Sequence, residues 1–138
     1  MSFDKLKEYL PYRGEKYIKP EKAGNYRQYM MDLRNLARQA RDEFSLISKS
    51  FEDRVKPFKA ERVSQWMNQS QLCRPHFWCY FRLPSDGLDD SALAIRLYGE
   101  SDNFGISVEV SFVERRRSEN SLEKQNKVLN LLPFGAMY

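Results

Sequence analysis

The chain has 138 residues, with 23 Lys or Arg against 19 Asp or Glu, so its formal net charge is +4. This length suits one domain that buries a hydrophobic core without disulfides or metals. Nine Phe, eight Tyr and two Trp exclude a chain that is disordered throughout. No apolar run approaches the roughly 20 residues that span a bilayer, so we expect no membrane partner. Two Cys without a secretion signal predict reduced thiols and a cytoplasmic location.

The first half of the sequence has helical spacing. Apolar residues between Tyr26 and Ile47 recur every three or four positions, which predicts one long amphipathic helix with a buried face. Asn25 is a suitable N-cap residue for this helix, because its side chain can accept a hydrogen bond from the first turn. We expect the helix to end within residues 48–50.

Three shorter helical segments are predicted around the long helix. The first spans residues 3–10, begins after Ser2 and stops before Pro11. The other two follow the long helix and hold small apolar clusters, namely Phe51, Val55 and Phe58, and then Val63, Trp66 and Met67.

The second half of the sequence alternates apolar and polar residues, which is typical of β-strands. Three strands are predicted, over residues 77–83, 92–98 and 106–113. The links between them are too short for a crossover helix, so we expect an antiparallel three-stranded meander. A C-terminal helix is predicted to begin at Asn120 and to end before Pro133.

These elements predict a single α+β domain over residues 1–138 in two layers, with helices packed on the sheet. Residues 1–70 are expected to be mainly helical, 71–117 to form the strands and 118–132 the last helix. The long helix is expected to cover the sheet face that carries Leu93 and Val108. The apolar tail, residues 133–138, either docks on the domain or belongs to a longer protein.

Positive charge is concentrated in the helical half, where residues 1–60 hold 14 basic and 9 acidic residues. Four arginines of the long helix fall within about 60° of one another at 100° per residue. Asp32, Asp42 and Glu43 are expected to lie away from them. We predict a phosphate- or partner-binding surface formed by Arg27, Arg34, Arg38, Arg41, Lys56, Lys59 and Arg62. Lys16, Lys19 and Lys22, with Tyr12 and Tyr17 between them, extend it.

The functional hypothesis from the sequence is a binding module, and no enzyme activity or cofactor is expected. Arginine matches phosphate oxygens and tyrosine can stack on bases, so the predicted partner is a nucleic acid or an acidic protein surface. The first alternative is a protein–protein or homodimer module. It would use the apolar tail, residues 133–138, together with Trp78 and Tyr80, which alternate with Phe77, Cys79 and Phe81 and face the other side of their strand.

Metal and catalytic sites have weaker support in the sequence. Cys73, His76 and Cys79 could supply three zinc ligands, but a closed site needs four, so free thiols are expected. The acidic loop residues Asp86, Asp89 and Asp90 lack the pattern of a calcium loop, so a solvated turn is expected.

A metal-dependent nuclease is the second alternative. It would use the three carboxylates Asp102, Glu109 and Glu114, but the lysine that such sites place after the carboxylate is missing. A cross-strand pair between Arg96 and Glu109 is the simpler interpretation.

Overall fold

The computed structural model of this chain describes residues 2–83, 91–100 and 103–112, which form two α-helices and four β-strands. The helices are α1, Asp4–Tyr9, and α2, Arg27–Arg54. The strands are β1, Lys59–Ala60, β2, Trp78–Arg82, β3, Ser91–Glu100, and β4, Asn103–Phe112. They form one antiparallel sheet in the order β1-β2-β3-β4, so the predicted α+β class is confirmed.

The described sheet has four strands, so the prediction of a three-stranded meander is wrong in strand number. The additional strand, β1, pairs Lys59 with Arg82 and Ala60 with Phe81. Two residues are too few to show alternation, which is why the sequence pattern misses this strand. The predicted C-terminal helix and the apolar tail lie outside the described residues.

Helix α2 runs for 28 residues and is the predicted long amphipathic helix. Its buried residues keep the helical period, namely Met30, Leu33, Ala37, Ala40, Phe44, Ile47 and Ser48. The predicted N-cap at Asn25 is wrong, because a 3-10 turn over Gly24–Tyr26 precedes the helix and no side chain caps it. Tyr26 itself is 68% exposed and lies off the buried face.

The predicted end of α2 within residues 48–50 is also wrong, because the helix continues through Phe51 to Arg54. A serine disfavours a helix when its hydroxyl forms hydrogen bonds with nearby backbone groups that replace those of the helix. Here the Ser48 hydroxyl donates back to the carbonyl oxygen of Phe44 at 2.9 Å, so the helical backbone stays intact.

No helix forms within residues 55–67, where the sequence predicts parts of two short helical segments. Val63 and Trp66 are buried as expected, but from irregular backbone. The reason is pairing with β2, since Glu61 N donates to Tyr80 O at 2.8 Å and Ser64 N donates to Trp78 O at 3.0 Å. These contacts with a distant strand override the local helical spacing.

Helix α1 is held against α2 by a carboxylate. Glu43 Oε1 accepts hydrogen bonds from Lys5 N at 2.9 Å and Leu6 N at 3.1 Å, both at the N-terminal end of α1. The Ser2 hydroxyl oxygen accepts from Asp4 N at 3.2 Å, in keeping with its expected position before this helix. Free N–H groups at a helix start are thereby satisfied, and α1 packs on the same core as α2.

The core lies between the helices and one face of the sheet. The predicted alternation along β2 is confirmed, since Phe77, Cys79 and Phe81 are fully buried and Trp78 and Tyr80 are half-buried.

The same face continues into β3 through Leu93, Ile95 and Leu97, which are also buried. Val108 pairs with Ile95 from the outermost strand of the described sheet and is 45% exposed. The prediction of a buried Leu93 and Val108 face is therefore correct for Leu93 and wrong for Val108.

Candidate functional site

A cleft of 660 Å³ lies beside α2 and is the main candidate site. One side of it comes from α2, through Arg34, Arg38, Arg41 and Asp42. The remaining residues come from two irregular segments, namely Tyr17, Lys19, Pro20, Glu21, Gln65, Trp66 and Met67. We call this feature the arginine cleft. Its volume is in the range of about 300–1,000 Å³ that small-ligand sites occupy.

The structure brings together three of the seven predicted basic residues. Arg34, Arg38 and Arg41 share one side of α2 because they are four and three positions apart. Arg27 is the first residue of α2 and is exposed, but it does not line the cleft. It lies seven residues before Arg34, which is about 10 Å along a helix axis.

The other predicted basic residues lie elsewhere. Lys56, Lys59 and Arg62 are exposed and follow the C-terminal end of α2, where β1 begins. None of them lines the arginine cleft. They lie together in sequence but apart from Arg34 and Arg38, and their role stays a prediction.

The wall opposite α2 is built around a tight turn at Asn68. The Asn68 side-chain oxygen accepts hydrogen bonds from Ser70 N at 2.9 Å and Leu72 N at 3.0 Å. Met67 then bridges back to Cys73. An asparagine that binds the backbone ahead of it is a sequence signal for a turn, and it could have argued against a helix here.

Residues 14–17 complete this wall by pairing with the Asn68 turn. Gly14 N donates to Cys73 O and Tyr17 N donates to Gln71 O, both at 2.7 Å. The Tyr17 ring then meets the Trp66 ring edge to face, with centroids 5.0 Å apart. Both rings are only 6% exposed, so they form a fixed apolar floor of the cleft.

The Tyr9 hydroxyl ties this wall to α1. It lies 2.9 Å from Trp66 O and 2.8 Å from Arg74 O, and its single proton is shared between these two carbonyl oxygens. Burial raises the pKa of Tyr9 above its usual value, so the hydroxyl keeps its proton and remains a donor. The position of Trp66 is therefore fixed from α1 and from residues 14–17.

Arg41 connects α2 with the irregular segment that precedes Trp66. Its Nε donates to Ser64 O at 3.0 Å and its Nη2 donates to Val63 O at 2.8 Å. The guanidinium is half-buried, and these carbonyl groups hold it in place. Arg41 thus has a structural role at the edge of the cleft.

Arg34 and Arg38 lie in a different setting from Arg41. The Nε atom of Arg34 is buried and has no hydrogen-bond partner within the described part of the chain. Arg38 is exposed along the cleft. A buried N–H group without an acceptor costs about 1–3 kcal/mol.

The cleft also holds two carboxylates. Glu21 and Asp42 line it together with Lys19 and the three arginines, so four cations face two anions. The prediction that Asp42 lies away from the arginines is wrong, because it is one helical turn after Arg38 and shares its side of α2. Asp32 does lie elsewhere, where it accepts a hydrogen bond from Gln28 at 2.9 Å.

The outer face of the sheet carries the second set of predicted residues. Trp78 and Tyr80 are half-buried there. The guanidinium carbon of Arg74 lies 4.9 Å from the Trp78 ring centroid. The ring centroid of His76 lies 5.5 Å from that of Trp78. One face of the Trp78 ring is therefore already covered within the chain.

The carboxylate proposed for a nuclease is paired with an arginine. Glu109 Oε2 lies 3.7 Å from Arg96 Nη2, which is the cross-strand pair expected from the sequence. Asp102, Glu114 and the acidic residues of 86–90 lie outside the described residues. Among the residues that are described, no three His, Cys, Asp or Glu side chains form a group that could hold a metal ion.

His76 lies close to this pair. Burial, and then the nearby charges of Arg96 and Arg74, lower the pKa of His76 below its usual value. The imidazole is thus neutral near pH 7 and adds no positive charge to the outer face of the sheet.

Both cysteines are free and buried. Burial raises the pKa of Cys73 to about 11, and burial also raises the pKa of Cys79. Since the thiolate is the reactive form, both thiols should be inert in the folded protein.

We expect the native protein at pH 8 to react with a thiol reagent more than tenfold more slowly than in denaturant. Two equivalents should react in denaturant. Raising the pH from about 9 towards 11 should lower stability, because the unfolded chain releases its thiol protons first. Fast labelling of the native protein at pH 8 would contradict the buried positions.

No helix in the described ranges is long and apolar enough to cross a membrane. Comparisons of the chain with models of protein families, with curated proteins and with solved structures find no match. The function is therefore inferred from the side chains of this chain alone.

Proposed function

We propose that this chain is a binding module whose arginine cleft contacts the phosphate groups of a nucleic acid. The observation that carries the proposal is the shared position of Arg34, Arg38 and Arg41 along one cleft. The guanidinium group presents several N–H donors in a plane, which matches the oxygens of a phosphate.

The three arginines differ in what they can offer a ligand. Arg41 uses its donors on the carbonyl groups of Val63 and Ser64, so it shapes the cleft. Arg38 is exposed along the cleft and Arg34 lies one helical turn before it, so these two are the arginines that we assign to the phosphate. Charge-assisted hydrogen bonds from two arginines can hold one phosphate group from two directions.

Binding should depend on salt. We expect labelled DNA or RNA to show an anisotropy increase at about 50 mM salt, because phosphate binding releases counterions. With one phosphate bound by Arg34 and Arg38, the affinity should fall about threefold between 50 and 200 mM salt.

The residues of the cleft can be tested by a double variant. Arg34→Gln with Arg38→Gln should lower the affinity about 10- to 100-fold at 50 mM salt. The matched control is Lys49→Gln with Arg54→Gln, which removes two positive charges from exposed sites on the same helix. Equal losses in both double variants would show attraction to total charge and would contradict the cleft.

The proposal includes a cytosolic setting, because both cysteines are free thiols. An acidic protein surface would use the same arginines and is an outcome of the same test. Homodimer formation through Trp78 and Tyr80 has less support, since Arg74 already lies over the Trp78 ring.

A further inference from the structure

Building on the proposed function, we infer that the arginine cleft accepts one nucleotide of a single-stranded nucleic acid. Its phosphate would lie on the α2 side, against Arg34 and Arg38. Its base would lie on the side of Trp66 and Met67.

The two sides of the cleft differ in chemistry. The α2 side presents guanidinium groups and Asp42. The opposite wall has a largely buried floor of Tyr17, Pro20, Trp66 and Met67 and exposed residues Lys19, Glu21 and Gln65 around it. A nucleotide combines a charged phosphate with a flat, largely apolar base, which the guanidinium groups and the Trp66–Met67 part of the floor can contact. Proteins that bind single strands commonly combine a positive groove with aromatic side chains.

The two carboxylates limit how much phosphate the cleft can take. Glu21 and Asp42 line the same cleft as Arg34 and Arg38, so a run of phosphates passing through it would meet like charge at two places. This favours a single inserted nucleotide over a cleft that follows the backbone over several nucleotides.

A duplex fits this arrangement poorly. Its bases are stacked inside the helix, so only phosphates and groove edges are available at its surface. Bringing a base to the Trp66 wall would require unpairing, which costs a few kcal/mol for each base. A flexible single strand can turn one base out at a much smaller cost.

The two tryptophans of the chain allow a direct test, because Trp66 lies in the cleft and Trp78 lies on the outer face of the sheet. Protein labelled with 5-fluorotryptophan gives two fluorine signals, which a Trp78→Phe variant assigns. We would titrate the labelled wild type with an eight-residue strand of deoxythymidine and with a duplex of equal phosphate number. Anisotropy competition with unlabelled wild type gives the affinities without any variant.

The single strand is expected to bind at least tenfold more tightly than the duplex and to shift the Trp66 signal alone. Arg34→Gln with Arg38→Gln should abolish both effects. Equal affinities that depend on these arginines, with no shift at Trp66, would overturn the single-strand inference and leave the proposed function standing. A shift at Trp78 alone would place the ligand on the sheet and overturn both. No binding of either nucleic acid at 50 mM salt would also overturn both.

Discussion

The substitution Phe77→Ala is expected to lower the free energy of unfolding by about 3–5 kcal/mol. Phe77 is fully buried, and its ring centroid lies 5.3 Å from that of Tyr9 and 5.9 Å from that of Phe44. The ring thus joins β2 to α1 and α2 at one point. Since small domains are stable by only about 5–15 kcal/mol, this loss should be visible in urea denaturation followed by circular dichroism.

A matched control separates this effect from a general loss of apolar surface. Leu46 lies on α2 but is 64% exposed, so Leu46→Ala should change the free energy of unfolding by about 0.5 kcal/mol or less. Phe77→Leu keeps much of the volume and should fall between the two. If Phe77→Ala were as stable as Leu46→Ala, the three-way contact of Phe77 with Tyr9 and Phe44 would be wrong.

The elements that the sequence predicts well are those whose pattern is long and local. The buried face of α2 repeats over many turns from Met30 to Ile47, and the alternation of Phe77, Cys79 and Phe81 fixes the face of β2. In both elements many buried side chains follow the same spacing. One residue with a low helix or strand propensity therefore does not change the predicted element.

The failures occur where distant pairing decides the backbone. Residues 61–64 follow β2, because the N–H groups of Glu61 and Ser64 donate to the carbonyl groups of Tyr80 and Trp78. Asn25, which was expected to cap α2, lies instead within a 3-10 turn over Gly24–Tyr26.

The two walls of the arginine cleft also differ in how far the sequence predicts them. Helix geometry alone places Arg34, Arg38 and Arg41 on one side, so the basic wall is predictable from spacing. The opposite wall depends on Tyr17 meeting Trp66, which the pairing of residues 14–17 with the Asn68 turn brings about. A contact between two separate segments leaves no repeating pattern in the sequence from which it could be predicted.

The substitution Arg41→Gln is expected to lower the free energy of unfolding by about 2–3 kcal/mol, whereas Arg38→Gln should change it by about 0.5 kcal/mol or less. Arg41 donates to the carbonyl groups of Val63 and Ser64 from a half-buried position, and Arg38 is exposed. Both substitutions remove one positive charge from α2. Urea denaturation of the two variants side by side measures the difference.

The two variants should also differ in how they lose nucleic-acid binding. Arg38→Gln should weaken binding while the protein keeps its stability, because Arg38 is exposed and would lose only its proposed contact with the phosphate. Arg41→Gln should weaken both together, since the segment that carries Trp66 loses its tie to α2. Arg41→Lys should recover little stability, because a lysine ammonium group cannot reproduce the planar fork that reaches two carbonyl oxygens. Equal stability of Arg41→Gln and Arg38→Gln would mean that Arg41 does not hold the cleft together.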